Sequence, residues 1–385
     1  LVERIADIGA INWDACANPP ERTFNPFIAY GFLSALEASG CIGPGTGWGA
    51  AHLVLTDDKG AIGGLAPQYV KANSYGEYVF DHSWADAFER AGGRYYPKLL
   101  IAAPFTPASG PRLLVRSGPD QAAARKALAQ GAVALAQRMK VSSLHVNFTL
   151  PDDQVDLAAH GFLRREDRQF HWFNENYRDF QDFLDQLSSR KRKQIRKERE
   201  IAKANGVEIE VLTGSALQES HWDAFYQFYM DTGSRKWGRP YLNRAFFSHL
   251  SASMADHIVL VMAKRGGRWI AGALNLLGSD ALFGRNWGCI EDHPCLHFEV
   301  CYYQAIDFAI AQQLARVEAG AQGEHKLARG YRPMVTTSFH WIADPNFRDA
   351  VARYLVAERR AVEAQIEMLD AYLPFRHVPA PEEEA

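Results

Sequence analysis

Between His257 and Ile290 the chain reads HIVLVMAKRGGRWIAGALNLLGSDALFGRNWGCI. Three apolar runs are separated only by Gly-Gly and Gly-Ser-Asp, which are turn sequences. A parallel pairing needs a crossover of a dozen residues or more, so connections this short allow three consecutive antiparallel strands. The rest of the second half is built around this meander. Before it come a helix predicted over Asp179–Asn205, a strand VEIEVLTG, and the helices LQESHWDAFYQFYMDTGSRKW and LNRAFFSHLSASM. After it come a helix HFEVCYYQAIDFAIAQQLA, a polar segment, and a helix from Asn346 to about Leu373.

The first half has a comparable outline. PFIAYGFLSALE reads as a helix, AAHLVLTD and AIGGLAPQYVKA as a hairpin, and DQAAARKALAQGAVALAQRMK as an alanine-rich helix. VSSLHVNFTL and LRREDRQFHWFNENY read as strands on either side of a short helix. With 385 residues the chain exceeds what one core usually spans. The expectation is therefore an α/β (α+β) chain of two tandem domains, residues 1–170 and 171–385. Each is expected to be a mixed, mostly antiparallel sheet flanked by helices, with the main polar cleft in the second.

Polar chemistry concentrates in EAGAQGEHKLARGYRP, Glu318 to Pro333. A strand buried on both faces should be apolar, and this segment is not. Read as a strand beside FGRNWG, it sets Gln322, Glu324 and Lys326 on one face near Arg285 and Trp287, with His325 opposite. A solvated edge strand would read the same way, but Gly320, Gly323 and Gly330 suggest close approach of backbone or ligand. The helix starting near His297 exposes backbone N–H groups that can hold a carbonyl or phosphate oxygen. The loop TGSRKWGRPYL adds Trp237 and Arg239 as a possible cover over a cleft, or as a plain connector. Seven Lys and Arg fall between Arg190 and Arg199. Among them Lys191, Arg192, Lys193 and Arg196 form either a solvated helix surface or a surface for phosphates or RNA.

Several classes are excluded. CIEDHPCLHFEVC holds metal-ligand residue types but matches no zinc spacing, so no metal is expected. No dinucleotide glycine fingerprint, Walker loop, nucleophile elbow or His-Glu-x-x-His occurs in the required context. The net charge of -3 gives no global pull toward DNA, other nucleic acid or membrane. Five scattered cysteines suggest a reducing compartment, no signal peptide is visible, and no run approaches membrane-spanning length. A cytoplasmic location is the resulting expectation.

SSRKRKQIRKERE, FYQFYMDTGSRKWGRPYL, FGRNWG, LHFEVCYYQAIDFAI and GAQGEHKLARGYRP, with NPFIAYGFLSALE and GGLAPQYVKANSYGEYVFDHSWADAF, resemble the FemAB-like predicted N-acyltransferases. That family is a branch of the GNAT superfamily. The resemblance covers nearly the whole chain and implies two tandem GNAT-like domains. It also implies transfer of an acyl or aminoacyl group to a small-molecule or peptide amine, in a peptidoglycan-related setting. Acyl-CoA or aminoacyl-tRNA would be the donor, with no tightly bound cofactor and tRNA as a partner in the second case. The usual CoA pyrophosphate signature is replaced here by HPCLHFEVC, and the helical arm of better-known Fem enzymes is missing. In direct amide formation a carboxylate or imidazole takes the amine proton. Glu324 and His325 are the first candidates for that base, then Glu299. Arg285, Lys326 and Arg329 would hold an anionic group, with Trp287, His297, Gln322, Trp237 and Arg239 lining the site. A non-catalytic module that binds a peptidoglycan or amino-acid-like ligand is the alternative.

Overall fold

The computed structural model describes residues 1–236, 240–320 and 323–376. In chain order the strands are β1 (Trp48–Ala50), β2 (Leu53–Thr56), β3 (Ile62–Ala66), β4 (Gln68–Lys71), β5 (Lys98–Ile101), β6 (Leu114–Val115), β7 (Ser143–Val146), β8 (Leu163–Phe173), β9 (Val207–Leu212), β10 (Ile258–Arg265), β11 (Arg268–Leu277), β12 (Ala281–Cys289), β13 (Arg316–Glu318) and β14 (Arg332–Ile342). The main helices are α1 (Ala10–Ala17), α2 (Tyr30–Ala38), α3 (His82–Arg90), α4 (Gln121–Met139), α5 (Pro151–Ala159), α6 (Phe180–Gln186), α7 (Ser189–Ala202), α8 (Glu219–Lys236), α9 (Arg244–Met254), α10 (Leu296–Phe298), α11 (Gln304–Ala311) and α12 (Pro345–Asp370). A π-helical turn, Glu299–Tyr303, joins α10 to α11.

One 11-stranded sheet runs β1-β4-β5-β7-β14-β8-β13-β12-β11-β10-β9. The predicted meander β10–β11–β12 is antiparallel throughout. In the 11-stranded sheet the parallel pairs are β5 with β7 and β12 with β13, one in each half. The centre of the sheet joins the two halves reciprocally. β14, from the end of the chain, pairs with β7 of the first half, and β8 of the first half pairs with β13 of the second. β8 and β14 also pair with each other, from Leu163–His340 to His171–Arg332. The main core is shared as well: Phe27, Phe32 and Leu36 pack in the same cluster as Trp222, Phe246, Phe247 and Phe283. α6, α7 and α11 cover the β8–β13–β12 region, and α4 and α5 cover β5, β7 and β14.

Two predicted elements differ from the structure. The single helix over Asp179–Asn205 is two helices, because Leu187 is extended (φ -85, ψ 155). The C-terminal segment pairs there: Ser188 N–H donates to Pro374 at 2.8 Å and Arg376 N–H to Gln186 at 2.9 Å. The polar segment is not one strand either. Pairing ends at Glu318, and Gly320 and Gly323 take positive φ (76 and 106) that a side chain would resist. Glu324–Arg329 then winds into a 3-10 helix closed by Gly330 at φ 84. Lys326 therefore lies in a helical turn and not on the strand face expected of it. Among the described residues no helix is long and apolar enough to cross a membrane.

Candidate functional site

β12 and β13 run side by side for three residue pairs and part after Phe283–Glu318, while β12 continues to Cys289. A bulge lies where they part. Asn275 faces Gly284 and Leu274 faces Asn286, so Arg285 is the extra residue. Bulges re-aim side chains, and this one turns Arg285 across to the first half of the chain. Its guanidinium donates to the Phe105 carbonyl, lies near Tyr78, and lies 5.4 Å from the Phe27 ring centre. Arg285 thus ties β12 to the buried loop after β5 instead of presenting its charge to an anion.

Beyond the fork, a cavity of about 320 Å³ opens between the end of β12, α8 and the start of α10, with Thr232, Trp287, Asp292, His293 and His297 in its wall. His297 is edge-on to Trp287, with ring centres 5.2 Å apart, and to Tyr302 at 5.3 Å. Tyr302 Oη lies 2.9 Å from His325 Nε2, and the His325 and His297 rings are 6.0 Å apart. The structure therefore brings Trp287, His297 and His325 into one aromatic cluster. The π turn is what admits Tyr302. A regular helix would carry His297 on to Cys301, and the inserted residue shifts the facing position by one. Glu291 and Asp292 line the cavity, and among the described residues no Lys or Arg does. Glu291 is engaged by Arg265 at 2.8 Å and by His293 at 3.1 Å.

The remaining predicted residues have other surroundings. Glu299 is fully buried and receives Arg199 through both carboxylate oxygens, at 2.9 and 3.1 Å, and Gln304 at 2.8 Å. It has no free face toward the cavity. Lys326 is buried, donating to the carbonyls of Ala319 (2.6 Å) and Gly320 (3.0 Å), and burial pushes its pKa down to about 8. Its ammonium closes the turn that follows β13. Arg329 is likewise enclosed, pairing with Glu198 at 2.7 Å and lying 3.4 Å over the Phe298 ring. Lys191 and Arg192 are half-buried, with Arg192 3.3 Å from Asp185, whereas Lys193 and Arg196 are exposed. Trp237, Arg239 and Gln322 lie outside the described residues, as does the side chain of Glu324. Among the described residues no group of three or more His, Cys, Asp or Glu could hold a metal ion.

A second polar concentration lies on the sheet in the first half. Lys98, fully buried, donates to Ser74 (2.8 Å), Glu77 (2.8 Å) and Asp81 (2.5 Å). Beside it His145 of β7 meets His340 of β14, with Nδ1 atoms 2.5 Å apart. Sequence reading missed this cluster because its members come from four separated segments. Lys98, Ser143 and His145 stand in short runs that read simply as strands, and only their polar character inside apolar strands signals it.

A family model described as peptidoglycan biosynthesis/recognition, FemAB-like, matches residues 4–377. No curated protein matches the chain. Among solved structures, FemX is similar with a TM-score of 0.52 at 12% identity, over 84% of this chain and 94% of that one. The C-terminal domain of a putative lysylphosphatidylglycerol synthetase from Agrobacterium fabrum is similar with a TM-score of 0.53 at 10% identity, over 90% of this chain and 96% of that one. These likenesses are of fold. The family match, which leaves out only a few residues at either end, shows that the chain belongs to the FemAB-like family.

Proposed function

We propose that the protein is an N-acyltransferase that forms an amide bond by direct transfer of an acyl or aminoacyl group to an amine, in peptidoglycan-related chemistry. The observation that carries this reading is the β12/β13 fork opening beside the 320 Å³ cavity, with the His297 imidazole and the Glu291 and Asp292 carboxyl groups in its wall. Glu291 and Asp292 favour a cationic amine there. The bound ammonium first loses one proton to solvent, and His297 takes a second as the neutral amine nitrogen attacks the acyl carbon. The new C–N bond forms, the bond from the acyl carbon to the donor's sulfur or oxygen breaks, and the proton passes to that leaving atom. His325 is a further candidate for this step, linked to His297 through Tyr302. We read residues 1–170 and 171–385 as two GNAT-like units that have exchanged closing strands, acting in the cytoplasm. The donor is acyl-CoA or aminoacyl-tRNA.

The aminoacyl-tRNA donor is favoured by α7. Arg190, Lys193, Arg196 and Lys197 are exposed there, while Ile195 and Glu198 face inward. Such a surface gives binding that weakens steeply with salt.

A thermal-shift panel tests both readings, because a ligand that binds only the folded state raises the melting temperature. The panel holds acetyl-CoA, longer acyl-CoAs, free CoA, amino acids, a muropeptide and total tRNA. A shift with acyl-CoA or tRNA that His297→Ala and Trp287→Ala abolish supports transfer at this cavity. A shift with muropeptide alone, and no product with any donor, overturns it in favour of a binding module. Binding of tRNA that ignores salt, or that survives Lys193→Glu with Arg196→Glu, removes the tRNA route.

A further inference from the structure

A continuous polar chain crosses the junction of the two halves away from the cavity at His297. It starts at a small pocket of about 20 Å³ bounded by Tyr78, Phe148, Arg165, Asp167, Thr336 and Ser338. That is room for one water-sized group. Ser338 Oγ lies 2.9 Å from His340 Nε2, and His340 Nδ1 lies 2.5 Å from His145 Nδ1. His145 Nε2 lies 2.8 Å from Ser143 Oγ, 3.4 Å from Tyr95 Oη and 3.8 Å from Asp81 Oδ2. From there Tyr95 donates to Asp81 at 2.7 Å, and Lys98 bridges Asp81 to Glu77. Glu77 Oε1 and Asp81 Oδ1 are buried without a hydrogen bond.

The surroundings select the proton positions. Two facing ring nitrogens at 2.5 Å share one proton, so one Nδ1 donates and the other accepts. Asp81 faces His145 Nε2, and Tyr95 spends its own proton on Asp81, leaving its oxygen as an acceptor. Both favour a proton on His145 Nε2. His145 Nδ1 is then bare, His340 carries its proton on Nδ1, and His340 Nε2 is bare. Ser338 must donate to that bare nitrogen, which leaves the serine lone pairs facing the pocket. Trp84, with its ring 5.0 Å from His340, and Arg165, held by Glu358 at 2.8 Å, complete the enclosure. Burial first, and then the neighbouring Lys98 and Arg165 cations, hold both rings below the usual imidazole range, with His145 adding to the effect on His340.

We propose that this pocket is a second ligand site, which takes an amine or hydroxyl group as hydrogen-bond donor to Ser338 and draws its proton through His340 and His145 toward the Asp81–Lys98–Glu77 cluster. In the transfer, the ligand proton moves to Ser338 Oγ as the serine proton moves to His340 Nε2. The His340 Nδ1 proton then crosses to His145 Nδ1, the His145 Nε2 proton passes to Tyr95 as Tyr95 gives its own to Asp81, and Lys98 takes that proton up while giving one to Glu77, where it rests. Tyr78 lines this pocket and lies near Arg285 of the β12 bulge. The proposal stands apart from the identity of the acyl donor.

The test is ¹⁵N NMR of the full chain with labelled histidine rings, using methylammonium as the probe. His145 is expected as the Nε2–H form and His340 as the Nδ1–H form at pH 7. Methylammonium should shift the His340 Nε2 resonance saturably. Tetramethylammonium has the same charge and no N–H, and it should not. Ser338→Ala should lose the response and Ser338→Thr should keep it. Reversed tautomers, no saturable shift, or an equal shift with tetramethylammonium would overturn the proposal. So would a response that survives in Ser338→Ala. The Ser338→Thr and tetramethylammonium comparisons decide the question even if Ser338→Ala does not fold.

Discussion

Removing Arg199 should destabilise the protein through Glu299. The Glu299 carboxylate is fully buried, and Arg199 grips both its oxygens while keeping only 18% of its own side chain exposed. Breaking a buried pair from one side typically costs about 3–5 kcal/mol, because the remaining charge stays desolvated. Two residual partners, Gln304 at 2.8 Å and the half-exposed Lys203 at 3.8 Å, soften the loss. Arg199→Met keeps the stacking of the side chain over Phe180, 4.3 Å from the ring centre, so little packing is lost with the charge. The expected cost is therefore at the lower end, about 3 kcal/mol. Glu299→Met alone strands Arg199, which Asp307 still holds at 2.5 Å, and should cost less. The double variant leaves no stranded Glu299 carboxylate, and the loss of Asp307's partner is common to it and to Arg199→Met, so it should cost well under the sum of the two single changes. Urea unfolding at pH 7, followed by tryptophan fluorescence, measures all four proteins. A loss under about 1 kcal/mol for Arg199→Met, or a double variant equal to the sum, would refute the pairing as a stabilising element.

Gly288→Ala should cost about 3 kcal/mol, because a Cβ there would sit 2.2 Å from the Phe228 carbonyl oxygen and force α8 off β12; a thermal melt unchanged from the parent counts against that packing. Arg285→Met should cost about 2 kcal/mol by leaving the buried Phe105 carbonyl without its charged donor. Limited proteolysis between Ala102 and Leu113 should then quicken, and an unchanged digest contradicts the tie. Burial pushes His145 down to about 3 from its ordinary 6.5, so the unfolded chain binds the extra proton between those values. Its contribution is fully present above pH 6.5 and is lost as the pH falls, by about 2 kcal/mol at pH 5. Glu77 and Asp153, raised to about 7 by burial, act in the opposite sense, so the test is a comparison with His145→Asn. The stability gap between the two proteins should narrow by that amount from pH 6.5 to pH 5, and a gap independent of pH would refute neutral burial.

The meander β10–β12 was legible because its strand character and its turns are both local, and a tight turn leaves one pairing. The 3-10 turn at Glu324–Arg329 was not. Alternating charge imitates a strand, and the positive φ of Gly320 and Gly323 that breaks it depends on where Lys326 finds its acceptors. Trp287 and His297 were legible as cavity residues because both flank a strand-to-helix junction, where backbone and side-chain donors converge. Tyr302 was hidden by the π turn, which changes the helical count at one position only. The His145–His340 pair was hidden for a topological reason. β7 and β14 are nearly two hundred residues apart, and nothing local announces that the last strand inserts beside the first half's parallel pair. Buried polar residues on adjacent strands are costly unless they satisfy one another. Ser143 and His145 on one strand, and Ser338 and His340 on the other, are each unfavourable alone and become one hydrogen-bonded set only when β7 and β14 pair. The same four residues therefore penalise every alternative pairing of β14. The β7–β14 pairing that places Ser338 and His340 beside His145 is also the one that these side chains select.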